Sequence, residues 1–367
     1  LGLPLIRHLV ISEYMLEDRG SSLSRAMPES KLDRIAIVMM SALGDVVHVL
    51  PVINALKRHA PRSRVTWILQ PLPASLVRGH PAVDEIIELS PRAGVRAWMN
   101  LRQQLRGRSF DVVLDLQVAI KAGLATALLN APVKVGFDRR RSRDLNWLFT
   151  THKIPARPNQ HVQDQYFEFL EYLGVPHDTV EWKLGPWSHE LAWAREFGGS
   201  LSRPAAAIVV GSSNPEREWP AERWAEVVDV LDLQYGLQPV LVGGAAARER
   251  RAEQIIAQRA RHTPVSTLGC DLRKLVAILD ASALVLSPDT APLHMAVALG
   301  RPVISLMAAS DYRRTGPYRT FEDLVVEKFH DPGDPAGIIS ERRNGRMHRI
   351  EVADVAAKIE VWRQRYA

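Results

Sequence analysis

Residues 287–300 read Ser-Pro-Asp-Thr-Ala-Pro-Leu-His-Met-Ala-Val-Ala-Leu-Gly. Asp289 and Thr290 follow an apolar run at 283–286 that reads as a buried parallel strand. Pro292 falls in the first turn of the Ala-rich helix that comes next, where its missing N–H costs nothing. A helix starting just past a strand end aims free N–H groups and its positive dipole end into the crevice beyond, and phosphate is the natural guest. His294, in the first turn, either meets that phosphate or is a structural helix histidine.

A second acid, Asp45, stands in the turn Met40-Ser41-Ala42-Leu43-Gly44-Asp45-Val46-Val47-His48 after the first strong strand. It is either a helix cap worth about 1 kcal/mol or a general base, work that needs one well-placed acid and no metal. Arg217, between Glu216 and Glu218 in the loop 214–224, is either a solvated arginine or a cation that neutralises a phosphate leaving group. Arg139, Arg140, Arg141 and Arg143 form the densest basic run. Arginine forks suit phosphate and carboxylate, although a charged loop is commonly just a solvated surface. The run has no interleaved aromatics and no nucleic-acid motif, so nucleic acid is not an expected partner. The histidines lack His-x-x-x-His spacing and Cys270 stands alone, so no metal site is expected. Neither Gly-x-Gly-x-x-Gly nor Gly-x-Ser-x-Gly is present, which argues against a dehydrogenase and against a serine hydrolase elbow.

The elements that must position these residues alternate. Strands are expected at 34–40, 64–70, 85–89, 110–116 and 133–136, with helices at 45–59, 95–105, 118–128 and 161–173. A second series has strands at 205–210, 239–242, near 265–267, at 283–286 and at 302–306, the last closing the sheet. Its helices are expected at 221–234, 247–259, 272–279, after Thr290 and at 352–366. Two doubly wound units imply a cleft at the carboxyl ends of both sheets. The expected division is an extension at 1–32, a first domain at 33–185, a second at 186–345 and a carboxyl-terminal helix at 346–367.

At 367 residues, two domains is the ordinary expectation. The net charge of +6 favours an acidic partner, and the single cysteine fits a reducing, cytoplasmic compartment. No run approaches the length of a membrane span, and the first ten residues make a poor signal peptide. Residues 4–18 read either as a short amphipathic helix touching a membrane surface or as a loosely docked extension.

Four blocks together resemble the ADP-heptose:lipopolysaccharide heptosyltransferases of glycosyltransferase family 9. They are Ser41-Ala42-Leu43-Gly44-Asp45-Val46-Val47-His48-Val49-Leu50-Pro51; Gly136-Phe137-Asp138-Arg139-Arg140-Arg141-Ser142-Arg143-Asp144 with Gln160-His161-Val162; Arg217-Glu218-Trp219-Pro220 with Trp224; and Asp289-Thr290-Ala291-Pro292-Leu293-His294 with Gly316-Pro317-Tyr318. The second block is similar to the heptosyltransferase I branch. The resemblance implies an α/β GT-B architecture: two facing Rossmann-like domains with parallel sheets and an interdomain cleft. It implies an inverting, metal-independent transfer of heptose from ADP-heptose to the Kdo and lipid A inner core, without a cofactor. Asp45 would be the catalytic base. Ser41, Gly44, Arg217, Asp289, Thr290, Ala291 and His294 would serve the donor, and His48, Arg139, Arg140 and Arg143 the anionic acceptor. It also implies a cytoplasmic enzyme at the inner face of the inner membrane, in peripheral contact with it.

Three departures from the family pattern bear on the donor. Arg217 stands where lysine is frequent, and Ala291 replaces a frequent glycine. The Gly243-Gly244-Ala245-Ala246-Ala247 turn lacks the acid that often meets the ribose, for which Glu249 is the available substitute. Alternatives left open are another nucleotide sugar or acceptor (a protein included), a nucleotide-sugar epimerase, and a non-catalytic nucleotide-sugar binder. The oligomeric state is not readable from the residues.

Overall fold

The computed structural model describes residues 31–367, so the amphipathic stretch at 4–18 and nearly all of the expected extension lie outside the described residues. The first sheet holds β1 (Arg34–Val38), β2 (Arg64–Leu69), β3 (Glu85–Glu88), β4 (Val112–Asp115), β5 (Val133–Gly136) and β6 (His152–Lys153). Its strands are parallel, in the order β3-β2-β1-β4-β5-β6. The second holds β7 (Ala205–Val209), β8 (Gln238–Val242), β9 (Val265–Ser266), β10 (Ser282–Pro288), β11 (Val303–Met307) and β12 (Val325–Glu327). It is also parallel, in the order β12-β11-β10-β7-β8-β9. Each sheet starts in its middle and grows outward twice. Strand order therefore reverses between β1 and β4 and between β7 and β10, and crevices open there at the carboxyl ends.

Around the first sheet run α1 (Leu43–His59), α2 (Pro71–Val77), α3 (Val95–Gln104), α4 (Ile120–Leu128) and α5 (Val162–Tyr172). With the second go α6 (Leu191–Ser200), α7 (Ala221–Tyr235), α8 (Ala247–Arg259), α9 (Leu272–Ala281), α10 (Ala291–Ala298), the single turn α11 (Tyr312–Thr315) and α12 (Val352–Arg365). Parallel sheets covered on both faces need strands apolar on both sides. Ile35, Ala36, Ile37 and Val38 of β1 have no exposed surface.

The expected strand at 302–306 does not close the second sheet, because β12 pairs beyond it through Ser305 and Val325. At three residues, β12 is too short for a sequence period to reveal. The two-residue β6 was missed for the same reason. α2 was also missed, because its Pro71-Leu72-Pro73 start reads as a turn. α12 packs on α7 and the β11–β12 edge and buries Val355, Ile359 and Trp362 in the second lobe's core.

Residues 181–182 still bond to Asn54 of α1, whereas α6 packs on α9. The chain crosses between lobes inside that interval. The lobes meet where α1 packs on α10 and α2 on α9. α1 is buried at every residue from Val46 to Leu56 because the first sheet, α5 and α10 surround it.

Candidate active site

Asp45 lies in the first turn of α1, just past the end of β1. Its Oδ2 accepts the Ala42 N–H at 3.1 Å, so the acid does cap its helix. Its Oδ1 is held from elsewhere: the Tyr166 hydroxyl of α5 donates to it at 3.0 Å. One turn along, Gln163 accepts from His48 Nδ1 at 3.0 Å and donates to the His48 carbonyl at 2.9 Å. The i, i+3 pair on α1 is thus matched by an i, i+3 pair on α5.

Burial raises the pKa of Asp45 above the ordinary carboxylate value. The Ala42 N–H, the Tyr166 hydroxyl and the Arg314 charge oppose that rise, and Asp289 adds to it. Burial and the Asp45 charge hold the Tyr166 pKa far above its usual value, so the phenol stays a donor. Asp45 keeps part of its surface open. A partly open carboxylate with raised proton affinity and a fixed orientation suits proton acceptance.

The second lobe approaches through Gly44. A Cβ there would lie 3.0 Å from the His294 ring and 3.9 Å from Ala291 Cα. The missing side chain lets the first turns of α1 and α10 touch, which brings Asp45 and Thr290 to one interlobe seam. Asp289 is 4% exposed, and its Oδ2 takes the Arg217 guanidinium at 3.0 Å and the Thr315 hydroxyl at 3.2 Å. Arg217 also donates to the Asp289 carbonyl at 2.8 Å, while its buried Nε has no partner among the described residues. Arg217 is therefore not the solvated loop arginine that its acidic neighbours suggested. Thr290 is the N-cap of α10, yet its hydroxyl bonds no N–H of that helix and stays available.

The guanidinium of Arg314, on α11, makes no hydrogen bond or ion pair among the described residues, and its charge acts on Asp45, Tyr166 and His161. With Arg217, Ser310, Thr315 and Arg342 it lines a cavity of about 10 Å³, room for a single water. The buried Ser310 hydroxyl also lacks a partner. A larger cavity, about 340 Å³, lies between Arg157, Asp164, Glu171 and Arg319; neither Asp45 nor Thr290 lines it.

The histidines expected to touch substrate are buried instead. His48 is 4% exposed and His294 7%, with ring centroids 4.3 Å apart. His48 therefore lies in the lobe interface, its buried Nε2 without a partner among the described residues. His161 joins them: its Nδ1 accepts the Gln163 N–H at 3.1 Å, so its Nε2 carries the proton that bonds the Gly316 carbonyl at 3.1 Å. Burial is the largest cause lowering the pKa of all three; the neighbouring rings add to it at His48, Arg314 and Arg319 at His161, and His161 and Arg217 at His294, whose pKa falls to about 3. Neutral imidazoles pack here where charged ones would repel.

The basic run divides. Arg139, Arg140 and Arg143 are exposed, with Arg139 stacked 4.5 Å over Trp147, an aromatic the run itself lacks. Arg141 is committed to Asp138, to Glu168 at 2.7 Å and to the Pro155 carbonyl at 2.8 Å, so it anchors the loop. Ser41 is fixed between strand ends, its carbonyl 2.8 Å from the Gln117 amide. Glu249 stands at the ends of β7 and β8 and accepts the Gly244 N–H at 2.6 Å and the Ala246 N–H at 3.0 Å. Sequence reasoning missed Tyr166, Gln163, Arg314 and Thr315. The only signal for Tyr166 was its place on the inward stripe of an amphipathic helix, which reads as core.

A family profile described as "Glycosyltransferase family 9 (heptosyltransferase)" matches residues 98–330. The lipopolysaccharide core heptosyltransferase OpsX of Haemophilus influenzae is 32% identical over 79% of this chain and 83% of its own length. Lipopolysaccharide heptosyltransferase 1 of Escherichia coli is 26% identical over 78% of this chain and 91% of its own. Among solved structures, E. coli heptosyltransferase WaaC with ADP superposes with a TM-score of 0.70 at 23% identity, covering 89% of this chain and 99% of that one. A family 9 glycosyltransferase from Veillonella parvula gives 0.74 at 22% identity, covering 91% and 99%.

Proposed function

The chain belongs to glycosyltransferase family 9, and on that premise we propose that it is an inverting heptosyltransferase. Its donor is ADP-heptose and its acceptor the Kdo-bearing inner core of lipid A, as the names of its relatives suggest. The observation that carries this reading is the seam itself: Asp45 of one lobe stands next to Gly44, which abuts Ala291 and His294 of the other, and its carboxylate feels the charges of Asp289 and Arg314, while Asp289 in turn holds the Arg217 guanidinium at 3.0 Å.

In the proposed reaction Asp45 takes the proton of the acceptor hydroxyl. The freed oxygen attacks the anomeric carbon from the face opposite the diphosphate. The bond between that carbon and the phosphate oxygen breaks, and its electron pair leaves with ADP, inverting the centre. Arg217, Arg314, the Thr290 hydroxyl and the first N–H of α10 stabilise the departing charge, work in which fixed cations and dipoles are most effective when water is excluded. Tyr166 orients the base. Arg139, Arg140 and Arg143 meet the acidic sugars and phosphates of the acceptor. Glu249 stands at the strand ends where a ribose would lie. The enzyme works at the inner face of the inner membrane, where a lipid-linked acceptor is presented.

The test is a donor screen: ADP-heptose against UDP- and GDP-sugars, with Kdo-lipid A as acceptor and mass spectrometry as readout. Addition of one heptose from the ADP donor is the expected result. Conversion of the donor without acceptor would instead mark an epimerase, and nucleotide binding with no product a non-catalytic binder.

A further inference from the structure

We propose that the outer face of the first lobe, formed by the amino-terminal turns of α3 and α4 and the 3₁₀ turn at Asn146–Phe149, docks on an anionic lipid bilayer. The proposal rests on the reading above for its purpose, since a glycolipid acceptor would be held in that same membrane.

Apolar exposure is concentrated here. Val95 is 75% exposed, Met99 65%, Ile120 37%, Leu124 41%, Leu145 57% and Leu148 56%. Elsewhere among the described residues only Leu72, Leu191, Leu233 and Tyr366 are comparably open, and they are scattered through α2, α6, α7 and the carboxyl terminus. Val95 and Met99 are four apart on α3, as are Ile120 and Leu124 on α4, so each pair projects from one helix face. The opposite faces bury Leu101, Ala122 and Ala125 in a single cluster against the first sheet. Both helices therefore lie on the same side of that sheet. Both begin at the carboxyl ends of its strands, the end that carries Asp45.

The face is held rigidly. A Cβ on Gly123 would come within 2.2 Å of Asn146 Oδ1 and 2.4 Å of the Phe149 ring, so the 3₁₀ turn sits directly on α4. Asn146 is buried and donates to Asp115 at 3.2 Å and to the Gln117 carbonyl at 2.8 Å. The Arg143 N–H bonds the Val118 carbonyl at 2.8 Å, which ties the basic run to the start of α4. Leu145, with φ of 64°, holds a left-handed conformation that bulky residues seldom adopt, and it points a leucine outward with no core to fill.

Charge selects the occupant. Residues 91–104 and 117–130 carry Arg92, Arg96, Arg102 and Lys121 and no acid. Residues 139–149 add Arg139, Arg140 and Arg143 against the single Asp144. None of Arg92, Arg96, Lys121, Arg139, Arg140 or Arg143 is ion-paired among the described residues, although Arg141 beside them is. Exposed apolar side chains on the same segments as unpaired cations fit the boundary between lipid headgroups and acyl chains, where the cations meet phosphate and the apolar groups enter. No helix among the described residues is long and apolar enough to cross a membrane, so the contact proposed is a surface one.

The full chain is sedimented with phosphatidylglycerol-containing vesicles and with purely phosphatidylcholine vesicles, at low and at high salt. Wild type is expected to partition onto the anionic vesicles and to be released by salt. The double variant Met99→Ser, Leu148→Ser is expected to partition at least about 10-fold less. Its melting temperature and its turnover of a delipidated, water-soluble acceptor are expected to be unchanged. The proposal is overturned if wild type ignores anionic vesicles, binds both vesicle types equally, or is matched by the double variant. It is also overturned if wild type self-associates through this face and the variant only becomes monomeric. Vesicle binding is read without donor or acceptor, so failure of the heptosyltransferase reading would appear in the transfer assay alone.

Discussion

Replacing Tyr166 with phenylalanine tests whether Asp45 is the base, because it changes the carboxylate without touching it. The variant keeps the ring that fills the space between α5 and α1 and removes only the hydroxyl that donates to Asp45 Oδ1 at 3.0 Å. A hydrogen bond to an ionised group contributes about 1.5–3 kcal/mol, and about 1.4 kcal/mol corresponds to one pH unit. Part of that bond survives when the acid is protonated, so the differential lies in the lower half of the range. Tyr166 lowers the pKa of Asp45 against the rise caused by burial, so losing it raises that pKa further. The acidic limb of the kcat/KM profile for Tyr166→Phe should therefore move to higher pH by about 1–2 units. At a pH on that limb, turnover should fall about tenfold or more, and it should recover towards wild type on the alkaline plateau. ADP binding, read by calorimetry, should be unchanged, because Tyr166 lies on α5 of the first lobe, while Arg217 and Thr290 lie on the second. A pH profile that superimposes on the wild-type profile would refute the assignment of the base.

Two further outcomes follow from the seam. Gly44→Ala places a methyl 3.0 Å from the His294 ring; it should cost about 1–3 kcal/mol of stability and reduce transfer, measured by chemical denaturation and turnover on the same preparation. His294 binds its proton only near pH 3 when folded but near 6.5 when unfolded, so its stabilising contribution is complete above pH 6.5 and is lost as pH falls towards 3. Wild type should lose about 2 kcal/mol more than His294→Gln between pH 6.5 and 5; parallel stability curves would contradict this, and the opposite slope from Asp115, raised by burial to about 7, cancels in the difference.

The strand–turn–helix grammar made the central geometry legible. Asp45 and Asp289 each stand just past an apolar strand and just before or within a helix start, and parallel strands present those positions at one end of a sheet. What single-chain patterning could not reveal was pairing across long separations. Arg217 lies 72 positions from Asp289 and Tyr166 lies 121 from Asp45. A tyrosine on the inward stripe of a helix is ordinary core, and only the partner across the groove turns it into a positioning group. The burial of the histidines was hidden for the converse reason. His48 sits one turn beyond the acid, within apparent reach of a ligand, but the helix turns its ring into Gln163 and the other lobe. Arg141 looked like its neighbours until Asp138 and Glu168 enclosed it.

On the proposed reading, the seam also couples proton abstraction to the donor. The proton affinity of Asp45 is set from both lobes: Ala42 and Tyr166 act from its own, Arg314 and Asp289 from the other. Separating the lobes would remove the second pair of influences and return water to the carboxylate, which lowers its basicity because burial is the largest of the causes that raise it. Closing over a diphosphate adds negative charge near the same carboxylate and drives its proton affinity upward, while Arg314, unpaired in the described structure, gains a partner and shields Asp45 less. Arg217 is already oriented by two contacts to Asp289 and needs little reorganisation to present its remaining N–H groups. The base is then strongest only when the leaving group is in place, so an acceptor hydroxyl meeting the seam without donor finds a weaker base and an unfilled phosphate seat.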